Sequence, residues 1–396
     1  MTKKQVLNPD QVKQEIGNYG DKIFLNSAGS SLPPKSVHEK VKEYLDLEEK
    51  EGGYKAVETM NQKIEDFYQQ AAHLLGCKSH NIAFANSATD AYAKALSSVD
   101  FKPKDVILTT DDDYASNYIQ FISLAKRYQI QIIRTMNHEN GDLDLNDFRE
   151  KIDTYRPKLV SVTHVPTNSG LIQDIKSIGE ICNEKEVLFL VDACQSTGQI
   201  AVDVREIKCD FLATTGRKFL RGPRGTGLLY VSNKALRDGL FPLMIDGAGA
   251  IWDKEADFSL TPDAKRFESW EKPYALLVGL SEAIRYLNQI GIEQIEAYNR
   301  ELMLRFRDNL QSIHEVSLYD RGSQKSNILT FRKKNKSMEE IQRVLNENNV
   351  FHSISSKEWG FIDFSKKNIE WAVRLSPHYF NSFEEIDKTS EIIEKL

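Results

Sequence analysis

The sequence predicts an α/β protein whose larger part has a mainly parallel sheet of about seven strands between helices. Seven short apolar runs follow one another between residues 82 and 231, and helix-length segments separate most of them. Most runs consist of consecutive Val, Ile and Leu, which is typical of strands buried on both faces of a parallel sheet. The runs are Ile82–Ala85, Val106–Leu108, Ile130–Ile133, Leu159–Val162, Val187–Val191, Phe211–Ala213 and Leu228–Val231.

Two helices are predicted before the first of these strands. Pro33 and Pro34 precede a helix, and a second helix is predicted near Val57–Leu75. Apolar residues recur at helical spacing in both. They are Val37, Val41, Tyr44 and Leu45 in the first helix and Met60, Ile64, Phe67, Ala71 and Leu74 in the second.

The pattern changes after about residue 275, where a smaller α+β part is predicted. One long helical region, two capping boxes (Ser337 with Glu340, and Ser382 with Glu385) and short strands alternate there. The helical region is Ala275–Ile313, and the strands are Asn327–Phe331, Val350–Ile354 and Ala372–Leu375. We therefore predict a large domain over residues 21–274. Residues 1–20 and 275–396, including the long connecting helix, form the predicted small domain.

Composition excludes several classes of protein. The chain has 396 residues and a net charge of −6, which argues against nucleic-acid binding through bulk positive charge. No 18-residue apolar run predicts a membrane span, and the first five residues lack the apolar stretch of a secretory signal. The four cysteines form no C-x-x-C pair and no cluster with histidine. We expect reduced, buried thiols, no metal site and a cytoplasmic location.

Polar segments follow the strands at the points where ligands bind in open parallel sheets, beyond the carboxyl ends. They contain hydroxyls, carboxylates, an aromatic ring, an amide and a lysine. The segments are Asn86–Asp90, Asp111–Tyr114, Thr163–Gly170, Asp192–Gln195 and Thr214–Lys218. Their convergence on one edge of the sheet predicts a ligand site.

Three members of this set indicate a pyridoxal phosphate site, although each also has an ordinary structural explanation. Asp192 is either a helix cap or a counter-ion for a cationic ligand atom. Lys218 is either a surface lysine or an amine whose pKa is lowered by burial and Arg217. The Ser87–Thr89 turn is either an ordinary cap or a phosphate site at a helix start. An activated lysine, a carboxylate for the pyridine nitrogen and a phosphate site together suit pyridoxal phosphate.

Other conspicuous residues are less informative. His164 is either a base or a core or rim histidine, and we favour the latter. The Gly222–Gly227 loop matches no nucleotide-binding fingerprint and is interpreted as a turn before a strand. Four aromatic residues could line a substrate pocket, but core or interface positions are favoured. These are Tyr54, Trp252, Trp270 and Trp359.

Three segments resemble the class V aminotransferase and cysteine desulfurase family of fold-type I pyridoxal phosphate enzymes. They are Val191–Gly198, Cys209–Lys218 and Gly222–Gly227. The resemblance implies a homodimer in which Lys218 forms the Schiff base and Asp192 pairs with the pyridinium. Near the C-terminus, Val373–Asn381 is similar to the segment whose arginine binds the substrate carboxylate. That role falls to Arg374, and Asn26 is also implied in substrate binding.

The same resemblance assigns the remaining cofactor contacts. Gln195 would contact the phenolate oxygen of the ring, Tyr114 would stack on the ring, and Thr167 would contact it. The phosphate would be held by Ser87, Ala88, Thr89, Thr215 and Arg217.

The chain departs from the desulfurase pattern at four places. Arg217 replaces a histidine, Ala88 replaces a phosphate-binding hydroxyl, and Arg266–Glu271 stands where Gly-Thr is common. Above all, residues 350–370 contain no cysteine. A desulfurase needs a thiolate there to accept sulfur as a persulfide, so the usual desulfurase route is not expected.

Further motifs look like the branch that contains hercynylcysteine sulfoxide lyases, with isopenicillin N epimerase-like proteins nearby. They are Asn26–Pro34, Glu51–Tyr54, His164–Gly170 and Arg266–Glu271. The leading hypothesis is therefore β-elimination from a cysteine-derived amino acid or its sulfoxide. An aminotransferase or an amino-acid epimerase is the alternative within the family. A non-catalytic phosphate- or nucleotide-binding protein is the alternative from another class. Only a small-molecule substrate is expected as a partner, besides a second copy of the chain.

Overall fold

The computed structural model describes residues 7–17 and 20–396. Its strands are β1 (Ile23–Phe24), β2 (Ile82–Ala85), β3 (Val106–Thr109), β4 (Gln131–Arg134), β5 (Leu159–Thr163), β6 (Leu188–Asp192), β7 (Phe211–Thr215), β8 (Gly227–Val231), β9 (Ala250–Lys254), β10 (Asp257–Leu260), β11 (Val316–Leu318), β12 (Leu329–Lys333), β13 (Val350–Phe351), β14 (Ser353–Ser356) and β15 (Trp371–Leu375).

The helices lie between and around these strands. They are α1 (Pro9–Gln14), α2 (Ser27–Ser30), α3 (Lys35–Glu51), α4 (Gly53–Thr59), α5 (Asn61–Leu75), α6 (Ala88–Ser97), α7 (Ala115–Tyr128), α8 (Leu145–Tyr155), α9 (Ile175–Glu184), α10 (Val204–Ile207), α11 (Asn233–Arg237), α12 (Tyr274–Ile290), α13 (Ile292–Ser312), α14 (Met338–Glu347), α15 (Phe361–Lys367) and α16 (Phe383–Glu394). Short 3₁₀ turns occur at Ser79–Asn81, Ala264–Phe267 and Lys357–Trp359.

The large sheet has seven strands in the order β2-β8-β7-β6-β5-β3-β4. Strands β3 to β7 run parallel, whereas β8 is antiparallel to both of its neighbours. Most of its strands are fully buried, and β4 at the edge is the exposed one. Each of the seven apolar runs lies on one of these strands, so the predicted α/β fold class is confirmed. The parallel strands bring their carboxyl ends to one edge.

The C-terminal part forms a second, antiparallel sheet in the order β11-β12-β15-β14. Both capping boxes are present, at the starts of α14 and α16. The domain boundaries at residues 21 and 274 stay predictions. Part of the segment 1–20, which was predicted to belong to the small domain, lies outside the described residues. The first five residues, which were found to lack a secretory signal, also lie outside them.

Four expectations about the elements were wrong in detail. The single helix predicted over Ala275–Ile313 is two helices, because Gly291 adopts a φ of 91° that ends α12 and begins α13. The strand predicted at Val350–Ile354 is split, since β13 pairs with β1 and β14 pairs with β15. The predicted helix near Val57–Leu75 is likewise two helices, α4 and α5. Leu45 is 49% exposed and does not share the buried face of α3.

None of the described helices combines the length and apolar character needed to cross a membrane. All four cysteines are free, and three of them are buried while Cys77 is partly buried.

Candidate active site

A cavity opens at the carboxyl ends of β5, β6 and β7, beside the start of α6. Every residue predicted to bind the cofactor lines it. Its lining residues are Ser87, Ala88, Thr89, Tyr114, Asn117, Thr163, Val165, Thr167, Asp192, Cys194, Gln195, Thr215, Arg217 and Lys218. The convergence inferred from the strand ends is therefore present in the structure.

Asp192 ends β6 and is only 4% exposed. The backbone N–H of Cys194 donates to its Oδ1 at 3.0 Å, and Nδ2 of Asn117 donates to its Oδ2 at 2.7 Å. Both carboxylate oxygens thus have donors, which allows the charge to remain in a buried position. A carboxylate held in this way is suited to pair with a cationic ligand atom.

Lys218 lies in the turn after β7 and is 9% exposed. Burial lowers the pKa of its amine, with smaller contributions from Arg217 and Arg374, while Cys194 and Asp192 act in the opposite direction. Within the described part of the chain, no carboxylate lies within ion-pair distance of its Nζ. The centroid of the Tyr114 ring lies 5.8 Å from Lys218 Nζ. A buried lysine without an ion-pair partner is poised to act as an amine.

The turn between β2 and α6 has the geometry of an anion site. Ser87 caps α6 by accepting a hydrogen bond from the Asp90 N–H at 3.1 Å, while Ala88 and Thr89 begin the helix. Helix starts present free N–H groups and a positive dipole end. Gly227 at the start of β8 permits close approach, because a Cβ there would lie 2.7 Å from the Ser87 carbonyl carbon. Strand β8 therefore packs directly against the turn.

Gln195 connects the cavity to α2 and to the segment after β5. Its Nε2 donates to Thr167 Oγ1 at 3.2 Å and to the Ala28 carbonyl at 3.1 Å. Its Oε1 is buried and has no hydrogen-bond partner among the described residues. A buried amide oxygen without a partner is costly unless a ligand completes it.

Arg374 reaches the same place from β15. Its Nη1 donates to Thr167 Oγ1 at 2.5 Å, and its Nε donates to Ser353 Oγ at 2.9 Å. Burial, and then the charge of Arg217, lower the pKa of Arg374 to about 10, so it remains a cation at neutral pH. No carboxylate of the described residues pairs with it. The guanidinium is thus available for an anionic ligand.

Arg217 and Asn26 are placed less directly. Arg217 lines the cavity, but its Nη1 donates to the Gly29 carbonyl. Burial, and then Arg224, lower the pKa of its guanidinium. Asn26 does not line the cavity and directly precedes α2, in which the Ala28 carbonyl accepts from Gln195. Its buried Oδ1 has no partner among the described residues.

Other residues singled out in the sequence lie elsewhere. His164 lines a different cavity, and burial lowers the pKa of its imidazole to about 3, so it is neutral at physiological pH. The Gly222–Gly227 loop is a turn that leads into β8, as expected. The four conspicuous aromatic residues, Tyr54, Trp252, Trp270 and Trp359, are all exposed and outside this cavity.

The sequence-based prediction gave no individual role to four lining residues, namely Asn117, Thr163, Val165 and Cys194, although the last three lie within the predicted segments Thr163–Gly170 and Asp192–Gln195. For two of them, the sequence contains a pattern from which a position in the cavity could have been predicted. Asn117 lies three residues after Tyr114, so the first turn of a helix starting there places both on one side. Thr163 is the last residue of β5. No cluster of three or more histidine, cysteine, aspartate or glutamate side chains within residues 7–17 and 20–396 is arranged to hold a metal ion.

The residues present fit pyridoxal phosphate. Three groups in the cavity each call for a different part of a ligand. They are the Gln195 Oε1 without a hydrogen-bond partner, the Lys218 amine without an ion-pair partner, and the N–H groups at the start of α6. A pyridine aldehyde with a phenolate oxygen and a phosphate meets all of them. The carboxylate of Asp192 suits the nitrogen of such a ring.

Comparisons with known proteins agree with this chemistry. The sequence profile of the family described as aminotransferase class-V matches residues 23–389. A probable cysteine desulfurase of Pyrococcus abyssi is 30% identical over 397 residues, covering 98% of this chain and 97% of the relative. The apo structure of a cysteine desulfurase from Thermococcus onnurineus NA1 superimposes with a TM-score of 0.90. That structure is 26% identical, and the match covers 100% of this chain and 99% of the other.

The fold is also that of the protein C-DES. One C-DES structure has glycine covalently linked to its pyridoxal phosphate cofactor, with a TM-score of 0.85, 19% identity, and 97% and 99% of the two chains covered. Another is a complex of C-DES, a cystine C–S lyase, with its product cysteine persulfide. It has a TM-score of 0.84 and 20% identity, and covers 95% and 98% of the two chains.

Proposed function

This chain belongs to the aminotransferase class-V family and is a pyridoxal-phosphate-dependent enzyme, and from that premise we propose that it is a C–S lyase. The proposed substrate is a cysteine-derived amino acid or its sulfoxide. The proposed reaction breaks the bond between the β-carbon and the sulfur, and the sulfur group leaves with a proton as a thiol or, from a sulfoxide, as a sulfenic acid. One water then converts the remaining three-carbon unit to pyruvate and ammonium. The similarity to hercynylcysteine sulfoxide lyases stays a prediction.

The observation that supports a lyase over a sulfur relay is the absence of a thiol suited to accept sulfur. Residues 350–370 carry no cysteine and form β13, β14, a 3₁₀ turn and α15. Cys194 does line the cavity, but burial and then Asp192 raise the pKa of its thiol well above the ordinary value. The thiolate is the nucleophilic form of cysteine, so this thiol is a poor acceptor near neutral pH.

In this proposal the cofactor is held by the residues that line the cavity. Lys218 binds its aldehyde carbon, Asp192 holds the proton on its ring nitrogen, and Gln195 contacts its phenolate oxygen. Tyr114 stacks on the ring, and Thr167 contacts it. The phosphate is held by Ser87, Ala88, Thr89, Thr215 and Arg217.

When bound, pyridoxal phosphate supplies an aldehyde that captures the substrate amine and a ring that accepts the electron pair released at the α-carbon. Arg374 binds the substrate carboxylate, and its Nε contact with Ser353 fixes the plane of the guanidinium. Lys218 Nζ takes the α-proton as general base. Burial favours this role because it lowers the pKa of the amine, so more of it is unprotonated near neutral pH than in an exposed lysine.

Arg374→Lys is expected to raise KM about 10- to 100-fold with a smaller change in kcat. A lysine keeps the charge but loses the two-pronged contact with a carboxylate, and hydrogen bonds to charged groups contribute about 1.5–3 kcal/mol. Steady-state kinetics on an S-substituted cysteine measures this effect. Arg343→Lys, on the exposed face of α14, is the control and should leave KM unchanged. An unchanged KM for Arg374→Lys would remove Arg374 from substrate binding.

We also propose that the functional unit is a homodimer. Tyr54 is 86% exposed and Trp270 is 66% exposed, and both line an apolar groove between α3, α4 and the start of α12. Exposed apolar surface of this kind commonly marks an interface. The segment that contains Trp270 also contacts the helix of the phosphate turn, because Lys94 Nζ of α6 lies 3.1 Å from Ser269 Oγ. A second copy seated in the groove would therefore adjoin the site.

Sedimentation measures the assembly directly. The wild-type protein should sediment at twice the chain mass of 45.3 kDa, and Trp270→Glu should shift it toward the single-chain mass. Leu304→Glu changes an equally apolar exposed residue on α13, outside the groove, and should remain dimeric. A wild-type protein that is monomeric at micromolar concentration would contradict the dimer proposal.

Product analysis tests the reaction. The holoenzyme is incubated with S-substituted cysteines, their sulfoxides, cystine and cysteine, with and without an added keto acid. Pyruvate and ammonium in equal amounts without keto acid support the lyase proposal. Keto-acid-dependent consumption would indicate a transaminase, and racemised substrate alone would indicate an epimerase. Alanine with a persulfide on the protein would indicate a desulfurase.

A further inference from the structure

Arg221 is a buried arginine that has no part in the proposed function so far. Its side chain is only 1% exposed, and no carboxylate of the described residues pairs with it. Its Nη2 is buried and has no hydrogen-bond partner within residues 7–17 and 20–396. Its φ of 59° lies in the left-handed region, which costs free energy in a residue with a Cβ. Each of these features lowers stability, so we expect arginine to have a compensating role at this position.

Arg221 closes the turn that Lys218 begins. Its backbone N–H donates to the Lys218 carbonyl at 2.9 Å, so the two residues are the last and the first of a four-residue β-turn. The next residue, Gly222, donates its N–H to the Gly216 carbonyl at 2.8 Å, directly after β7. The position of Lys218 therefore depends on where the Arg221 end of the turn is held.

Two segments outside this turn hold the Arg221 side chain. Its Nε donates to the Leu32 carbonyl at 2.7 Å, and its Nη1 donates to Tyr379 Oη at 2.6 Å. The guanidinium carbon also lies 5.6, 5.0 and 5.0 Å from the ring centroids of Tyr286, Tyr379 and Phe380. A carbonyl, a hydroxyl and aromatic faces can together stabilise a buried cation that has no carboxylate partner. They also fix the place of the guanidinium.

Both segments carry other parts of the proposed site. Leu32 follows α2, in which the Ala28 carbonyl accepts from Gln195. Tyr379 follows β15, the strand that contains Arg374. The Arg221 side chain thus connects the lysine turn with the helix that supports Gln195 and with the strand of the proposed substrate-binding arginine.

Two further contacts attach the same turn at other points. The Ser31 N–H donates to the Arg217 carbonyl at 2.8 Å, and His378 Nε2 lies 3.0 Å from the Phe219 carbonyl. These contacts hold the residues on either side of Lys218. Neither of them holds the end of the turn, which is attached through the side chain of Arg221.

We propose that Arg221 is a positioning residue, which fixes the Lys218 turn relative to Arg374 and thereby places the lysine amine for the cofactor and the substrate. This inference rests on the proposed role of Lys218. Arg221 does not line the cavity, so it acts through Lys218 and not on the reacting atoms. Placement matters because a displacement of about 1 Å can lower a reaction rate about 100-fold.

Capture of the cofactor provides the first test. Apoprotein variants are mixed with saturating pyridoxal phosphate, and the rate at which the visible band forms is followed. Methionine has nearly the length of arginine but cannot donate hydrogen bonds, so Arg221→Met should slow band formation about tenfold or more. Arg221→Lys keeps a charged donor and should recover part of the rate. The melting temperature of each apoprotein shows whether it folds.

An isotope effect provides a second readout, which a loss of stability alone would not change. The substrate is an S-substituted cysteine with deuterium at the α-carbon. With Arg221→Met, kcat should fall about 10- to 100-fold while KM stays within about threefold, because the amine is displaced and the substrate carboxylate is still bound. The deuterium isotope effect on kcat should rise, since proton transfer to the displaced amine becomes the slow step.

Tyr379→Phe tests the side-chain contact itself. It removes the hydroxyl that accepts from Arg221 Nη1 and keeps the ring. We expect it to slow band formation about threefold, and to add no further loss to Arg221→Met, because residues that act through one contact are non-additive. If Arg221→Met does not fold, Arg221→Lys and Tyr379→Phe decide the question, and a wild-type rate of band formation in both would overturn the proposal.

Lys333→Met is a matched control. Lys333 is another buried cation bound to carbonyls, since its Nζ donates to those of Ile393 at 2.9 Å and Glu394 at 2.8 Å, at the end of α16. It does not line the cavity. This variant should melt at a lower temperature but keep the wild-type isotope effect and a rate of band formation within twofold of wild type.

Three results would contradict this role of Arg221. They are a wild-type rate and isotope effect in folded Arg221→Met, additive losses in the double variant, and an equal slowing of band formation by Lys333→Met. Fixation of the cofactor on another lysine of the wild-type protein would instead refute the proposed role of Lys218, and this inference with it.

Discussion

Replacing Lys218 with alanine should lower turnover of the holoenzyme at least about a thousandfold. A positioned general base typically contributes about 10²–10⁴-fold, and loss of the amine also removes the covalent link to the cofactor. Lys218 is the only lysine among the described residues that line the cavity, so no neighbouring lysine of the lining can substitute for it. Continuous measurement of pyruvate release with S-substituted cysteine gives the ratio.

Lys176→Ala is the control for this variant. Lys176 forms an exposed ion pair with Glu206, outside the site cavity, so its removal should leave turnover within twofold of wild type. The Lys218→Ala apoprotein should melt close to wild type, because removing an unpaired buried amine leaves no carboxylate without a partner. Turnover by folded Lys218→Ala at a tenth of the wild-type rate or more would show that another group removes the α-proton.

Replacing Asp192 with asparagine is expected to lower kcat about 100- to 1,000-fold. The carboxylate favours the protonated ring nitrogen, and losing two or three units of that pKa corresponds to about 3–4 kcal/mol. Asparagine has nearly the same shape and can retain the backbone contact from Cys194, so the charge is the main change. Single-turnover kinetics with saturating cofactor measures the chemical step apart from weakened binding.

Asp210→Asn controls for loss of a buried carboxylate. Asp210 precedes β7, accepts the Phe189 N–H at 3.0 Å and lies outside the cavity. It should alter stability and leave the single-turnover rate nearly unchanged. A rate for Asp192→Asn within threefold of wild type, at full cofactor occupancy, would rule out a role for Asp192 in activating the ring.

Periodicity and strand ends were enough to predict the large sheet and the edge at which the site lies. Consecutive apolar residues marked each strand of the sheet, and the polar residues that followed them marked the cavity. Both are local signals, since burial on two faces requires apolar runs and chain reversals need polar turns. Strand boundaries differed by one or two residues, because polar terminal residues such as Thr215 still pair in the sheet.

Other features depend on contacts that no local pattern reveals. The hairpin of β9 and β10 is exposed along almost all its length, so it lacks an apolar run. The break between α12 and α13 depends on the positive φ of Gly291 inside a continuous apolar pattern. Asn117 follows Tyr114 by one helical turn, but its hydrogen bond to Asp192 depends on the start of α7 lying beside the end of β6, and these two elements are distant in sequence.

Borohydride reduction of the holoenzyme, followed by peptide mapping, tests the central claim most directly. Purified protein loaded with pyridoxal phosphate should be yellow, lose its colour on reduction and carry the cofactor on one peptide, through Lys218. Lys218→Ala, treated in the same way, should carry no fixed cofactor. Fixation on a different lysine of the wild-type protein, or no uptake of pyridoxal phosphate at all, would contradict the account.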